Sequence, residues 1–202
     1  MTNGTLLVFA KSPRMGTAKT RLARDIGPVE ALRLNRTCHA RAMKAAAPDT
    51  WRTRLCIAPD NDISAHHGHL WPTHFERVPQ GKGDLGDRLR RAFQTAPPGP
   101  VIVVGVDAPD ISAALIKQAF KTLKRADAVF GPAVDGGFWL FGASRTLRRS
   151  FLSFSPVRWS SKHALSDLKA TFPKTTRIEY ISTLVDLDDI DALKRWKNNK
   201  KA

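Results

Sequence analysis

One tyrosine, two cysteines and three methionines among 202 residues leave this chain little thiol or phenol chemistry to work with. Cys38 and Cys56 cannot build a disulfide framework, and neither stands in a zinc-type spacing. They suit a reducing compartment, so a cytoplasmic protein is expected. Long hydrophobic runs are missing too. The apolar stretch at residues 6–10 has no basic segment before it and is too short for the core of a secretion signal or for a membrane span. No serine motif of hydrolase type occurs, and neither a Walker A loop nor the dinucleotide glycine fingerprint is present. Acidic residues are scarce as well: 18 stand against 33 Lys and Arg, a net charge of +15.

That charge invites a nucleic-acid reading, so its distribution matters. Residues 1–54 hold 11 basic against 3 acidic residues, and residues 111–202 hold 17 against 8. Residues 55–110 are reversed, with 5 against 7, including Asp84, Asp87, Asp107 and Asp110. A protein that only coats a phosphate backbone gains little from an acidic island. A polyanionic small substrate explains the pattern better, and a basic nucleic-acid-binding protein is retained only as the lesser alternative. The basic end, residues 194–202, reads as a flexible solvated tail.

Apolar, β-branched runs alternate with helical patterns along the chain. Strands are expected at residues 5–10, 54–58, 74–78, 101–106, 128–131, 138–142 and 177–181. Helices are expected near 28–47, 85–95, 111–125, 161–171 and 189–197, with Pro28 opening one and Ser160 or Ser161 capping another. The alternation predicts a largely parallel sheet covered on both faces. Without a linker or composition break, one domain over residues 1–202 is expected.

The motifs that could carry chemistry fall at the ends of these elements. Val106-Asp107-Ala108-Pro109-Asp110 follows the apolar run Val101–Val104 and Gly105, and offers carboxylates where open α/β sheets bind ligands. Asp107 and Asp110 read either as ligands for Mg²⁺ or Mn²⁺ on a phosphate, or as strand end and helix cap. Lys11-Ser12-Pro13-Arg14-Met15-Gly16-Thr17-Ala18-Lys19-Thr20-Arg21 places four cations after the first strand, suited to a di- or triphosphate or to a basic surface loop. Gln80-Gly81-Lys82-Gly83-Asp84 combines close backbone approach at its glycines with Asp84 as a helix cap. Asp135-Gly136-Gly137-Phe138-Trp139 is a turn that could carry a general base, and Trp159-Ser160 and Asp186-Leu187-Asp188 are further polar element ends. The His66, His67 and His69 cluster lacks a second ligand group at any recognised zinc spacing.

Taken in order, these motifs resemble a bacterial glycosyltransferase-like family. The resemblance runs from about Leu6 to Leu193 and includes an arsenosugar-biosynthesis-linked branch, with similarity to molybdopterin and phospholactate guanylyltransferases. Phe138 stands where the family usually has Tyr, and Ala108 where it commonly has Ser or Thr. The resemblance implies an α/β fold in three layers, α/β/α, with a mostly parallel mixed sheet: the nucleotide-diphospho-sugar transferase (GT-A) fold. It implies metal-dependent transfer of a sugar from a nucleotide sugar to a small-molecule acceptor, with nucleotidyl transfer from a nucleoside triphosphate as the alternative. Lys11, Arg14, Gly16, Lys19, Arg21, Gly83 and Asp84 would bind the nucleotide, and Asp107 and Asp188 would hold Mg²⁺ or Mn²⁺. Asp135 would be the base, Asp107 would share the catalytic role, and Gly136, Gly137, Phe138 and Trp159 would face the substrate.

Overall fold

A computed structural model describes residues 4–65, 67–150 and 153–200, apart from the side chain of Ser150. Seven strands form one sheet: β1 (Thr5–Lys11), β2 (Arg52–Ala58), β3 (Glu76–Pro79), β4 (Val101–Val104), β5 (Ala128–Pro132), β6 (Phe138–Ala143) and β7 (Ile178–Tyr180). Their spatial order is β3-β2-β1-β4-β6-β5-β7. Only β6 runs antiparallel to its neighbours, because the short turn from β5 allows a hairpin whereas the parallel pairs need helical crossovers. The order reverses between β1 and β4, which opens a crevice beyond their carboxyl ends.

Period-two alternation sends side chains to both faces. Leu6, Val8, Leu55, Ile57, Ile102 and Val104 pack beneath α2 (Pro28–Ala46) and α4 (Ala113–Thr122). Leu7, Cys56, Val101, Val103, Phe130 and Phe141 pack beneath α3 (Leu85–Thr95), α5 (Arg145–Ser150) and α6 (Ala164–Ala170). The expected three-layer α/β/α fold with a mostly parallel mixed sheet is therefore the observed one.

A third, smaller core joins distant parts of the chain. Leu22 of α1 (Thr20–Ile26), Leu34 and Cys38 of α2, Val185, Leu187, and Leu193 and Trp196 of α7 (Ile190–Asn199) pack together. The helix expected over 189–197 thus reaches Asn199, so the stretch also expected as a flexible tail is helical to that point and anchored through Trp196; burial of the indole outweighs the surrounding lysines. The Trp196 indole N–H donates to Asp110 Oδ2 at 2.8 Å, and Arg41 lies 3.7 Å from Asp110 Oδ1. Asp110 is therefore not the cap of α4. Ser112 fills that place, its Oγ accepting from the Leu115 N–H. Strand β4 also stops at Val104, short of the expected 106, so Asp107 lies in the following loop. Neither Ser160 nor Ser161 caps α6, which begins after His163; Ser161 instead accepts from the His163 N–H within the preceding turn.

Leu187 is 1% exposed in this third core. Leu187→Ala should cost about 2–4 kcal/mol of unfolding free energy, measured by urea denaturation, because apolar neighbours on three helices cannot all close the cavity.

Candidate functional site

Five of the motifs singled out in the sequence lie at one edge of the sheet. The Lys11–Arg21 loop follows β1, Gly83-Asp84 follows β3, Asp107 follows β4, Asp135–Phe138 joins β5 to β6, and Asp186–Asp188 follows β7. The centre of the edge is Lys19. Its backbone adopts φ 55°, ψ 39°, a left-handed conformation that costs a non-glycine residue on the order of 1–2 kcal/mol. That geometry turns the side chain inward, where it is only 2% exposed. The ammonium donates to Asp107 Oδ1 and, at 3.1 Å, to Asp188 Oδ1. Burial alone would lower the Lys19 pKa, but Asp107 and Asp188 outweigh it and hold it above the ordinary lysine value. Burial likewise pushes Asp107 upward, and the Lys19 charge wins there too, leaving its carboxyl below the usual range.

The third core explains how two carboxylates so far apart in sequence meet. Val185 and Leu187 are buried in it, so the alternating Asp186 and Asp188 turn the other way. The Leu187 N–H donates to the Asp107 carbonyl at 3.1 Å, pinning this segment to the loop after β4. Asp186 was not among the expected site residues, although its alternation with Leu187 was the available signal. Burial, then the charges of Asp107, Asp188 and Asp135, raise its pKa to about 8, so it carries its proton at neutral pH. Its Oδ1 is buried with no hydrogen-bond partner.

The other expected residues are distributed around this centre. Lys11 and Arg21 are exposed at the start and end of the loop. Arg14 is exposed but its guanidinium donates to the buried Asp62, a partner the sequence did not reveal. Gly16 has φ 77° and nothing within 4 Å of where a Cβ would stand, so the backbone there is open to a ligand. Asp84 caps α3, its Oδ1 accepting from the Asp87 N–H at 2.8 Å, and Gly83 at φ 101° lets the chain turn into that helix. Asp135 accepts from the Gly137 N–H at 2.9 Å, which shapes the turn, and its charge reaches Asp186. At Gly136, φ 89°, a Cβ would collide with the Lys162 carbonyl, so that turn requires glycine. Phe138 and Trp159 meet edge-to-face at 6.5 Å, with Trp159 Nε1 beside Gly86 of α3.

His66 lies outside the described residues. His67 packs edge-on against Trp71, and no cluster of three or more His, Cys, Asp or Glu side chains suited to a metal occurs among the described residues. Burial raises the thiols of Cys38 and Cys56 to about 11 and 12, which removes both as nucleophiles.

A family model described as "Uncharacterized protein conserved in bacteria (DUF2064)" matches residues 41–161. The chain belongs to this family. A search of curated proteins returns no match. Among solved structures, this DUF2064 protein is similar to a proposed nucleotide-diphospho-sugar transferase from Desulfovibrio desulfuricans G20, at 26% identity and a TM-score of 0.84, covering 100% of this chain and 89% of that one. It shares its fold with 4-diphosphocytidyl-2C-methyl-D-erythritol synthase from Anaerococcus prevotii (10% identity, TM-score 0.61, 98% and 96% covered). It shares it also with Rv0371c of Mycobacterium tuberculosis H37Rv, solved in complex with manganese (17% identity, TM-score 0.57, 96% and 97% covered).

Beside the carboxylates, His39 is 1% exposed, and its Nδ1 accepts from the Trp71 indole N–H at 3.1 Å. Burial lowers its pKa from 6.5 to about 4. The unfolded chain therefore binds this proton first, and stability should fall as pH drops from 6.5 to 4, by up to about 3 kcal/mol. His39→Gln keeps an acceptor for Trp71 and should flatten that part of the profile in urea titrations at pH 7 and pH 4.5.

Proposed function

We propose that this DUF2064 protein is a transferase acting on a nucleotide-activated substrate: it moves a sugar from a nucleotide-sugar donor to a small-molecule acceptor with the help of Mg²⁺ or Mn²⁺. The meeting of Lys19, Asp107 and Asp188 at the β1–β4 crevice carries this reading. The cation-rich loop beside it and the likeness to the Desulfovibrio protein support it. Lys11, Arg14, Gly16, Lys19 and Arg21 hold the diphosphate, with Gly83 and Asp84 at the flank of the nucleotide. Gly136, Gly137, Phe138 and Trp159 face the acceptor.

The donor set suits a hard divalent cation. Asp107 and Asp188 already share one cation, the Lys19 ammonium. Two carboxylates with phosphate oxygens completing the shell are enough for Mg²⁺ or Mn²⁺, and the manganese complex of Rv0371c lends support. Bound there, the ion would offset charge on the departing diphosphate. The chain's own cations do the same work: Lys19 and the loop arginines stabilise negative charge as it grows on the leaving group. In the reaction, the bond from the anomeric carbon to the β-phosphate oxygen breaks and its electron pair stays with the nucleoside diphosphate. The acceptor oxygen forms the new bond, and its proton passes to Asp135.

Product analysis with a panel of nucleotide sugars and nucleoside triphosphates tests this reading. Release of nucleoside diphosphate is expected; release of pyrophosphate would replace glycosyl by nucleotidyl transfer. Asp107→Asn and Asp188→Asn should each weaken Mn²⁺ binding at least about tenfold, followed by electron paramagnetic resonance. Lys19→Gln should act in two directions, tightening Mn²⁺ binding in the absence of nucleotide while weakening nucleoside diphosphate binding. Unchanged Mn²⁺ affinity in that variant would show that the ammonium and the metal do not share the carboxylates.

A further inference from the structure

A cavity of about 550 Å³ lies at the opposite edge of the sheet. It is framed by the end of α3, the loop leading into β4, and α5, which begins just after Ala143, the partner of Val101 at the start of β4. Four guanidinium groups line it: Arg90, Arg145, Arg148 and Arg149, with Phe93 and Phe154. No carboxylate among the described residues does.

The arginines differ in their partners. Arg148 is fixed in place, donating to the carbonyls of Phe93, Ala96, Pro97 and Gly99. Those carbonyls satisfy its N–H groups and the exposed end of α3, but they leave its full positive charge without a counter-ion. Arg90 pairs with Asp87, one turn back on α3. The side chains of Arg145 and Arg149 are exposed and take part in no ion pair or hydrogen bond among the described residues. The cavity thus gathers four positive charges against one carboxylate outside it. Its volume is in the range that encloses a small metabolite, and guanidinium forks match phosphate oxygens in pairs.

We propose that this cavity is a binding site for a small polyphosphate anion, distinct from the nucleotide site at the other edge. The two are separated by the length of α3, 11 residues or about 16 Å of helix. Asp84 stands at one end of that helix and the cavity at the other. One rigid element therefore touches both sites.

The test is calorimetric titration of the full chain with inorganic tripolyphosphate in the presence of a chelator, comparing the wild type with an Arg145→Gln/Arg149→Gln double variant. Both side chains are exposed and without partners among the described residues, so the variant should fold; Arg148 is left intact because it closes the end of α3. Loss of one binding event, or at least about tenfold weaker binding, is expected, with orthophosphate binding far more weakly than tripolyphosphate. Mn²⁺-dependent nucleotide binding should be unchanged in the double variant, which separates this site from the carboxyl edge whether or not the transferase reading holds. Identical stoichiometry and affinity in the two proteins would overturn the proposal. So would a short single-stranded oligonucleotide that displaces tripolyphosphate and depends on the same arginines, since the patch would then be a nucleic-acid surface.

Discussion

The Lys19 ammonium, enclosed between Asp107 and Asp188, is the contact on which the carboxyl edge depends. It joins the loop after β1, the loop after β4 and the segment leading to α7. Burying an ammonium is costly, and a single carboxylate repays that cost only with good geometry. Here two carboxylates share it, and an independent apolar tie fixes their spacing: Leu22, Val185 and Leu187 pack in the third core while the Leu187 N–H holds the Asp107 carbonyl. Apolar packing sets the distances, and the charges set the chemistry.

The same principle explains why a chain of net charge +15 keeps its carboxylates together. A positive field at long range draws anionic substrates in. A divalent cation, by contrast, needs local negative oxygen, which under the proposed function Asp107 and Asp188 would supply, while burial and the neighbouring carboxylates favour the protonated form of Asp186. The opposite edge has the reverse composition, with arginines facing a cavity.

Much of the fold was legible in the chain. All seven strands were, because buried β-branched runs bounded by turn residues carry a strong period signal, and α2 and α3 were, because Pro28 and Asp84 announce their starts. Helices α1 and α5 were not. Helix α1 has seven residues and opens on Lys19, which offers no capping oxygen; α5 has six, half of them arginine. The basic C-terminal stretch looked solvated because its lysines outnumber its apolar residues, yet one tryptophan placed against Asp110 and Arg41 suffices to seat it. At the site, element ends could be read, but partners could not. Nothing in the loop after β1 indicates that Arg14 meets Asp62, or that Asp110 turns to Trp196 while Ser112 caps α4.

By itself, the sequence determined the α/β alternation, the placement of cations and carboxylates at strand ends, and the glycines that permit the turns, since each depends on neighbours close along the chain. Only the tertiary structure decided which of those groups meet. Lys19, Asp107 and Asp188 are brought together by the reversal of strand order at β1 and β4 and by a small core drawn from both ends of the chain. Asp107 and Asp110, three residues apart and alike in sequence, part company for the same reason. The carboxylate of Asp107 meets a lysine from one end of the chain, and that of Asp110 meets a tryptophan from the other. Long-range packing is not encoded in local spacing, and the roles of these carboxylates follow from that packing.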